Sequence, residues 1–332
     1  MKRTTAALAA ILLLSSTALL QACNSKASES KGAAPTEQAS KSNAPETSKA
    51  SAPEPSKKPA AAPNPLPSYM PENSTLLSKT NSVYRVKFDS AALNKEVRFN
   101  IYLPPNYDTA QTYPTLYLLH PLIGSENSVL SATGISASAD KLIADGKVNP
   151  LIIVAPLLEN SYGLNVTDEM AKSCSACTVG NYEDYLTKDL IGFVDGHFST
   201  VKEKSGRYIG GFSAGGWAAL YNAFTHPDLF SKVGGHSPYL PLDEWKEIYT
   251  TPELKKQRDP LLLAATADIK DLSVYLDSGE QDQYQGYIST EKLNGILQNK
   301  KVKSEYHHFP GGHNQEYWDS QSDNLLTFYA GK

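Results

Sequence analysis

Cysteine is scarce, with three residues in a chain of 332, so a disulfide-dense scaffold is excluded and the fold must rest on a hydrophobic core. Positive charge is not in excess either. Lys and Arg number 31 against 35 Asp and Glu, for a formal net charge of -4 and a pI near 6.0, which provides no broad basic surface for nucleic acid. The only apolar run near the N-terminus is too short to span a bilayer comfortably. From Asn24 to Pro65 there is no aromatic and no branched aliphatic residue, so nothing in that stretch can offset the entropy of ordering, and a disordered tether is expected there. Treated as a flexible coil it spans on the order of 35 Å.

What precedes the tether is a positively charged start, Lys2 and Arg3, an apolar stretch and then small residues, the pattern of an export signal rather than of a folded element. Its end, Leu20-Gln21-Ala22-Cys23, resembles the lipobox of bacterial lipoproteins, which implies cleavage before Cys23 and a lipid anchor on it; the other reading is an ordinary secretory signal with an incidental cysteine. The expected division is a signal over 1–22, a lipidated tether over 23–75 and one folded domain over 76–332. The remaining cysteines, Cys174 and Cys177 in "SCSACT", are expected to form a small local disulfide in an oxidising compartment. A zinc site would need a second pair of ligands, and no second CxxC exists.

The folded part alternates two patterns. "SVYRVKF" and "EVRFNIYLP" switch between apolar and polar residues, as an antiparallel hairpin with one wetted face does. "TLYLLH", "PLIIVAP", "RYIGGF" and "LSVYLDSG" are near-continuous apolar runs that suit strands buried on both faces. Helical spacing lies between them, most clearly in "NYEDYLTKDLIGFVDGHF". The expected class is α/β: a mainly parallel central sheet with helices on both faces, an N-terminal antiparallel hairpin, and a ligand site beyond the carboxyl ends of the strands.

Within "YIGGFSAGGWAAL", Gly211, Ser213 and Gly215 satisfy GxSxG between an apolar strand and a helix opening. That is the setting of a nucleophile elbow, in which glycines allow a turn too tight for side chains. Many glycine turns of this kind catalyse nothing, so Ser213 also needs a base and an acid, in the chain order Ser, then Asp or Glu, then His. His313 is the candidate base, in the glycine loop "FPGGHNQEYW" after the last strand. A solvated loop histidine is the plainer reading, and His236 stays open although it comes too early to leave room for an acid before it. "LDSGEQDQY" offers Asp282 as the acid, with Asp277 as the alternative. The oxyanion donors expected are the backbone N–H groups of Ala214, directly after the serine, and Leu122, in "HPLIG". Tyr162, Tyr239, Tyr284 and Trp318 are candidates for an acyl or aryl pocket, or ordinary core and surface aromatics.

In "YPTLYLLHPLIG", "YEDYLTKDLIGFVDGHF", "YIGGFSAGGWAALYNAFTHPDLFSKVGGHSP", "LDSGEQDQY" and "GGHNQEYW", the chain resembles a bacterial esterase family. That family includes esterase D-type S-formylglutathione hydrolases, feruloyl esterases, enterochelin esterases and antigen 85 mycolyltransferases. The resemblance implies an α/β-hydrolase fold, a nucleophile at Ser213, an acid at Asp282, a base at His313, oxyanion donors at Leu122 and Ala214, an acyl-enzyme intermediate, and no metal or organic cofactor. One departure stands out: relatives usually read His-Gly where this chain has His120-Pro121, which leaves the shape of the oxyanion loop open. The expectation is an exported, lipid-anchored serine esterase acting on carbohydrate-linked or siderophore esters. Its alternatives are an acyltransferase on the same residues and a non-catalytic surface-binding lipoprotein.

Overall fold

The apolar runs become the middle of one sheet. The computed structural model describes residues 66–130, 133–241 and 245–332, all within the unit Ala62–Lys332; the export segment, Cys23 and nearly all of the tether lie outside them. The strands are β1 (Ser74–Ser78), β2 (Val83–Ser90), β3 (Lys95–Tyr102), β4 (Thr115–Leu119), β5 (Ile152–Pro156), β6 (Asn165–Val166), β7 (Gly180–Asn181), β8 (Arg207–Phe212), β9 (Lys232–His236), β10 (Ser273–Gly279) and β11 (Lys303–Phe309). Nine of them form one sheet in the order β1-β2-β3-β5-β4-β8-β9-β10-β11, and β6 pairs with β7.

The sheet changes character along its width. β1, β2, β3 and β5 run antiparallel to their neighbours on that side, whereas β5-β4-β8-β9-β10-β11 are parallel throughout. The expected α/β-hydrolase architecture is therefore present, with β1 added to the edge of the expected hairpin. β4 explains why the inner strands read as unbroken apolar runs: all five of its residues are buried. Leu116 and Leu118 enter one core while Tyr117 and Leu119 enter the other, because successive side chains leave opposite faces. Helix Ala214–Thr225, through Trp217 and Phe224, covers one face. Helices Ile135–Ala144 and Ser322–Ala330 cover the other, through Ala139, Leu325 and Tyr329. Each of the larger of these side chains, such as Phe224 or Leu325, contributes about 1.5–3 kcal/mol on burial.

The core reaches back to Met70, which is buried, with Leu66 and Tyr69 packed against it; the fold thus begins ahead of the boundary expected at residue 76. Cys174 and Cys177 are joined by a disulfide with Cα atoms 5.3 Å apart. Closing so short a loop is worth about 2 kcal/mol. What matters for function is direction: β4, β8, β9, β10 and β11 are parallel, so the loops that follow them all emerge at one rim of the sheet.

Candidate active site

Ser213 follows β8 with φ 55° and ψ -117°, a strained conformation for a residue with a side chain, costing about 1–3 kcal/mol. Hydrogen bonds over-determine it. Its N–H donates to the His236 carbonyl at 3.0 Å, and its own carbonyl accepts from Tyr239 and Trp217, each at 3.0 Å. The glycines of the motif are required by contact. A Cβ on Gly211 would lie 2.3 Å from the Gly215 carbonyl oxygen, and one on Gly215 would lie 2.5 Å from the carbonyl oxygens of His120 and Leu119. The turn therefore drives helix Ala214–Thr225 directly against β4 and presents the hydroxyl above the sheet rim.

His313, from the loop after β11, meets that hydroxyl. Its Nε2 lies 2.7 Å from Ser213 Oγ, and its Nδ1 lies 2.9 Å from Asp282 Oδ2. The carboxylate accepts the Nδ1 proton, so Nε2 is left bare to accept from the serine. Asp282 is itself positioned. Its Oδ1 accepts from Tyr284 N–H at 2.8 Å, and its carboxylate is fully buried. Of the alternatives that the sequence leaves open, Asp277 and His236 are not part of this chain of bonds; they pair with each other beneath it. His236 Nδ1 and Asp277 Oδ2 are 2.6 Å apart, Tyr317 donates to Asp277 Oδ1 at 2.9 Å, and all three are buried. Burial and the Asp277 charge push the Tyr317 phenol far up, so it stays a donor. Tyr317 lies on helix Gln315–Ser320, just after His313, so this buried group also braces the loop that carries the imidazole.

The oxyanion loop turns immediately after β4. Gly124 N–H closes it on the Pro121 carbonyl at 2.9 Å, and Ile123 N–H donates to Asn160 Oδ1 at 2.9 Å. His120 locks its base: Nδ1 lies 2.8 Å from the Pro121 carbonyl and Nε2 accepts from Leu158 N–H at 3.0 Å. This ring is neutral, because burial lowers its pKa and outweighs the Pro121 bond and the charge of Glu126. Pro121 therefore does not disrupt the loop; it supplies the carbonyl that two donors share. Leu122 and Ala214 line one small cleft with Leu158, Tyr162 and Gly163. Ala214 is the first residue of its helix, where N–H groups have no intrahelical acceptor.

A second cleft, of about 470 Å³, is lined by Tyr239, Trp245, Glu247, Tyr284, Ile288 and His313, among others. The four candidate pocket aromatics separate. Tyr239 and Tyr284 line this cleft, and Tyr162 lines the smaller one, its phenol pushed up to about 12 by burial. Trp318 lines neither: it is buried, with its ring 5.4 Å from Phe212 and 5.5 Å from His313. The pocket expectation for Trp318 is thus corrected to a backing for the imidazole, because helix Gln315–Ser320 turns it inward. Sequence reading also passes over Asn160, Gln281 and Gln283. Gln281 Oε1 accepts from Gly311 N–H at 2.6 Å and Gln283 Oε1 from His313 N–H at 3.3 Å, which ties the acid loop to the base loop. Nothing local in "LDSGEQDQY" marks these glutamines, since their partners lie in another loop.

Residues 90–326 match the family model described as "Putative esterase". The chain belongs to this esterase family. It is a carboxylic ester hydrolase. Over 251 residues it is 27% identical to the uncharacterized protein YjcH of Bacillus subtilis, covering 72% of this chain and 94% of that one. It is 31% identical over 158 residues to the endo-1,4-beta-xylanase/feruloyl esterase of Xylanibacter ruminicola, covering 46% of this chain but only 21% of that larger protein. Among solved structures, a ferulic acid esterase shares the fold with a TM-score of 0.64 at 20% identity, over 77% of this chain and 98% of that one.

Proposed function

We propose that this esterase works through an acyl-enzyme on Ser213, with His313 as proton shuttle and Asp282 as its orienting acid. The observation that carries the reading is the continuous relay from Ser213 Oγ to His313 at 2.7 Å and on to Asp282 at 2.9 Å. As the Oγ–C bond forms, the serine proton passes to Nε2, and the Asp282 carboxylate stabilises the imidazolium. The carbonyl oxygen takes up the negative charge and is held by the N–H groups of Leu122 and Ala214, each worth about 3 kcal/mol of barrier. Collapse breaks the C–O bond to the alcohol, which leaves with the Nε2 proton. Water then attacks the acyl carbon, gives its proton to His313, and Ser213 departs with that proton restored.

The departing alcohol must lie within reach of His313 Nε2, so the 470 Å³ cleft that His313 lines is assigned to it. Tyr239, Trp245 and Tyr284 offer aromatic faces and Glu247 an acceptor there, a set that suits the faces and hydroxyls of a sugar ring. Feruloyl esterase activity in the name of the Xylanibacter ruminicola relative agrees with a carbohydrate-linked ester. The export pattern and Cys23 extend the proposal to an exported enzyme held at a membrane by lipid. Ser213→Ala is expected to abolish hydrolysis of p-nitrophenyl acetate with the circular dichroism spectrum unchanged; retention of most of the activity discards the assignment.

A further inference from the structure

Seven large hydrophobic side chains stand exposed among the described residues; Leu77 and Leu262 line neither cleft, whereas three of the others line one of the two clefts and Ile123 follows one of these in sequence. Leu122 is 38% exposed, Ile123 86%, Tyr284 59% and Ile288 39%; Leu122 lines the smaller cleft, Tyr284 and Ile288 the larger one. Val179, 47% exposed, follows Thr178, whose N–H donates to the carbonyl of Asn160, the residue that also holds Ile123.

Ile123 is the anomaly within this group. Its φ is +61°, in the left-handed region that β-branched residues avoid. It occupies the third position of the turn closed from Gly124 to Pro121, where glycine or asparagine is the ordinary choice when φ is positive. The side chain is almost wholly exposed, so its apolar atoms gain nothing from the folded core. Strain at an exposed apolar residue without any return in packing points to something outside the fold.

We propose that Leu122 and Ile123 form the wall against which the acyl chain of the substrate lies, and that this enzyme prefers esters of an extended apolar acid over acetyl esters. The inference rests on the reading of Ser213 as nucleophile. The leaving alcohol is placed on the His313 side, because its oxygen collects the Nε2 proton. The carbonyl oxygen points at the N–H groups of Leu122 and Ala214. The remaining substituent of the reacting carbon is the acyl chain, and it runs out along the loop that holds the oxygen. There Leu122 lines the smaller cleft together with Leu158, Tyr162 and Ala218, and Ile123, next in the chain, stands exposed beside it. An apolar chain covering them removes their surface from water in the bound state alone, and that burial favours the longer acyl group over acetyl.

The test uses p-nitrophenyl acetate, butyrate and hexanoate, which share one leaving group and so hold the alcohol side constant. The wild type is expected to show kcat/KM rising from acetate to hexanoate. In Ile123→Asn and Ile123→Gly, both suited to φ +61°, the hexanoate-to-acetate ratio is expected to fall roughly tenfold while the melting temperature stays level or rises. Ile123→Leu should keep the ratio. An unchanged ratio in folded Ile123→Asn and Ile123→Gly, or a wild-type preference for acetate, overturns the inference while leaving the nucleophile assignment intact. Hydrolysis of acetate that survives Ser213→Ala overturns both.

Discussion

Asp277→Ala and Asp282→Ala remove the same carboxylate from two His–Asp pairs that lie close together, and the structure assigns them opposite consequences. Asp282 Oδ2 holds His313 Nδ1 at 2.9 Å, and His313 in turn lies 2.7 Å from Ser213 Oγ. Its loss leaves the imidazole without an orienting acceptor, and kcat is expected to fall about 10⁴-fold, equivalent to about 5.5 kcal/mol of barrier. Its contribution to folding is modest, one bond from Tyr284 N–H and one from His313. Asp277 is different: its two oxygens take Tyr317 Oη and His236 Nδ1 at 2.9 and 2.6 Å, with His236 1% exposed and Asp277 0%. Truncating it strands two buried donors, at about 1–3 kcal/mol each, and breaks a buried charge-assisted pair, for a total near 4 kcal/mol. For a folded unit of this size that lowers the melting temperature by about 10 °C. Thermal melts followed by circular dichroism, with kcat on p-nitrophenyl acetate measured well below either melting temperature, separate the two. An Asp277→Ala protein that melts with the wild type but has lost four decades of kcat, beside an active Asp282→Ala protein, would refute the assignment of the acid.

Two further outcomes follow from the same reasoning. His120 has a pKa below its ordinary 6.5 in the folded state. Its contribution is therefore fully present above that value and lost as pH falls beneath it, when protonated Nε2 can no longer accept from Leu158 N–H. Melting temperatures taken from about pH 7.5 to 5.5 should drop more steeply for the wild type than for His120→Gln, and equal slopes would contradict this. For the proposed anchor, Cys23→Ser should move the protein from the membrane fraction to the soluble exported fraction and abolish incorporation of labelled palmitate; an unlabelled wild type would rule out lipidation.

The elements that could be read from residues alone are those whose signal is local. The paired glycines around Ser213 and the apolar runs of β4, β5, β8 and β10 each declare themselves within a few positions, and the order of serine, acid and histidine is read directly along the chain. β1 was not legible, because "STLLS" alternates too briefly to stand apart from a loop and becomes a strand only by pairing with β2. Trp318 stayed open between pocket wall and core aromatic for a related reason, because only the inward turn of the helix that carries it buries the ring. The bracing by Gln281, Gln283, Asn160 and Tyr317 joins segments far apart in the chain, and no spacing rule reports it.

By itself, the order of residues determined the chemistry on offer: a serine on a turn only glycines permit, and a histidine and acids placed after buried strands. Tertiary structure alone decided which groups met. Asp277 and Asp282 are carboxylates of the same type in one loop-bounded segment, and the choice between them depends on which way each side chain leaves the end of β10. Asp277, still within the strand, is turned down onto His236 and Tyr317. Asp282, beyond the strand, is free to swing to the rim where His313 waits.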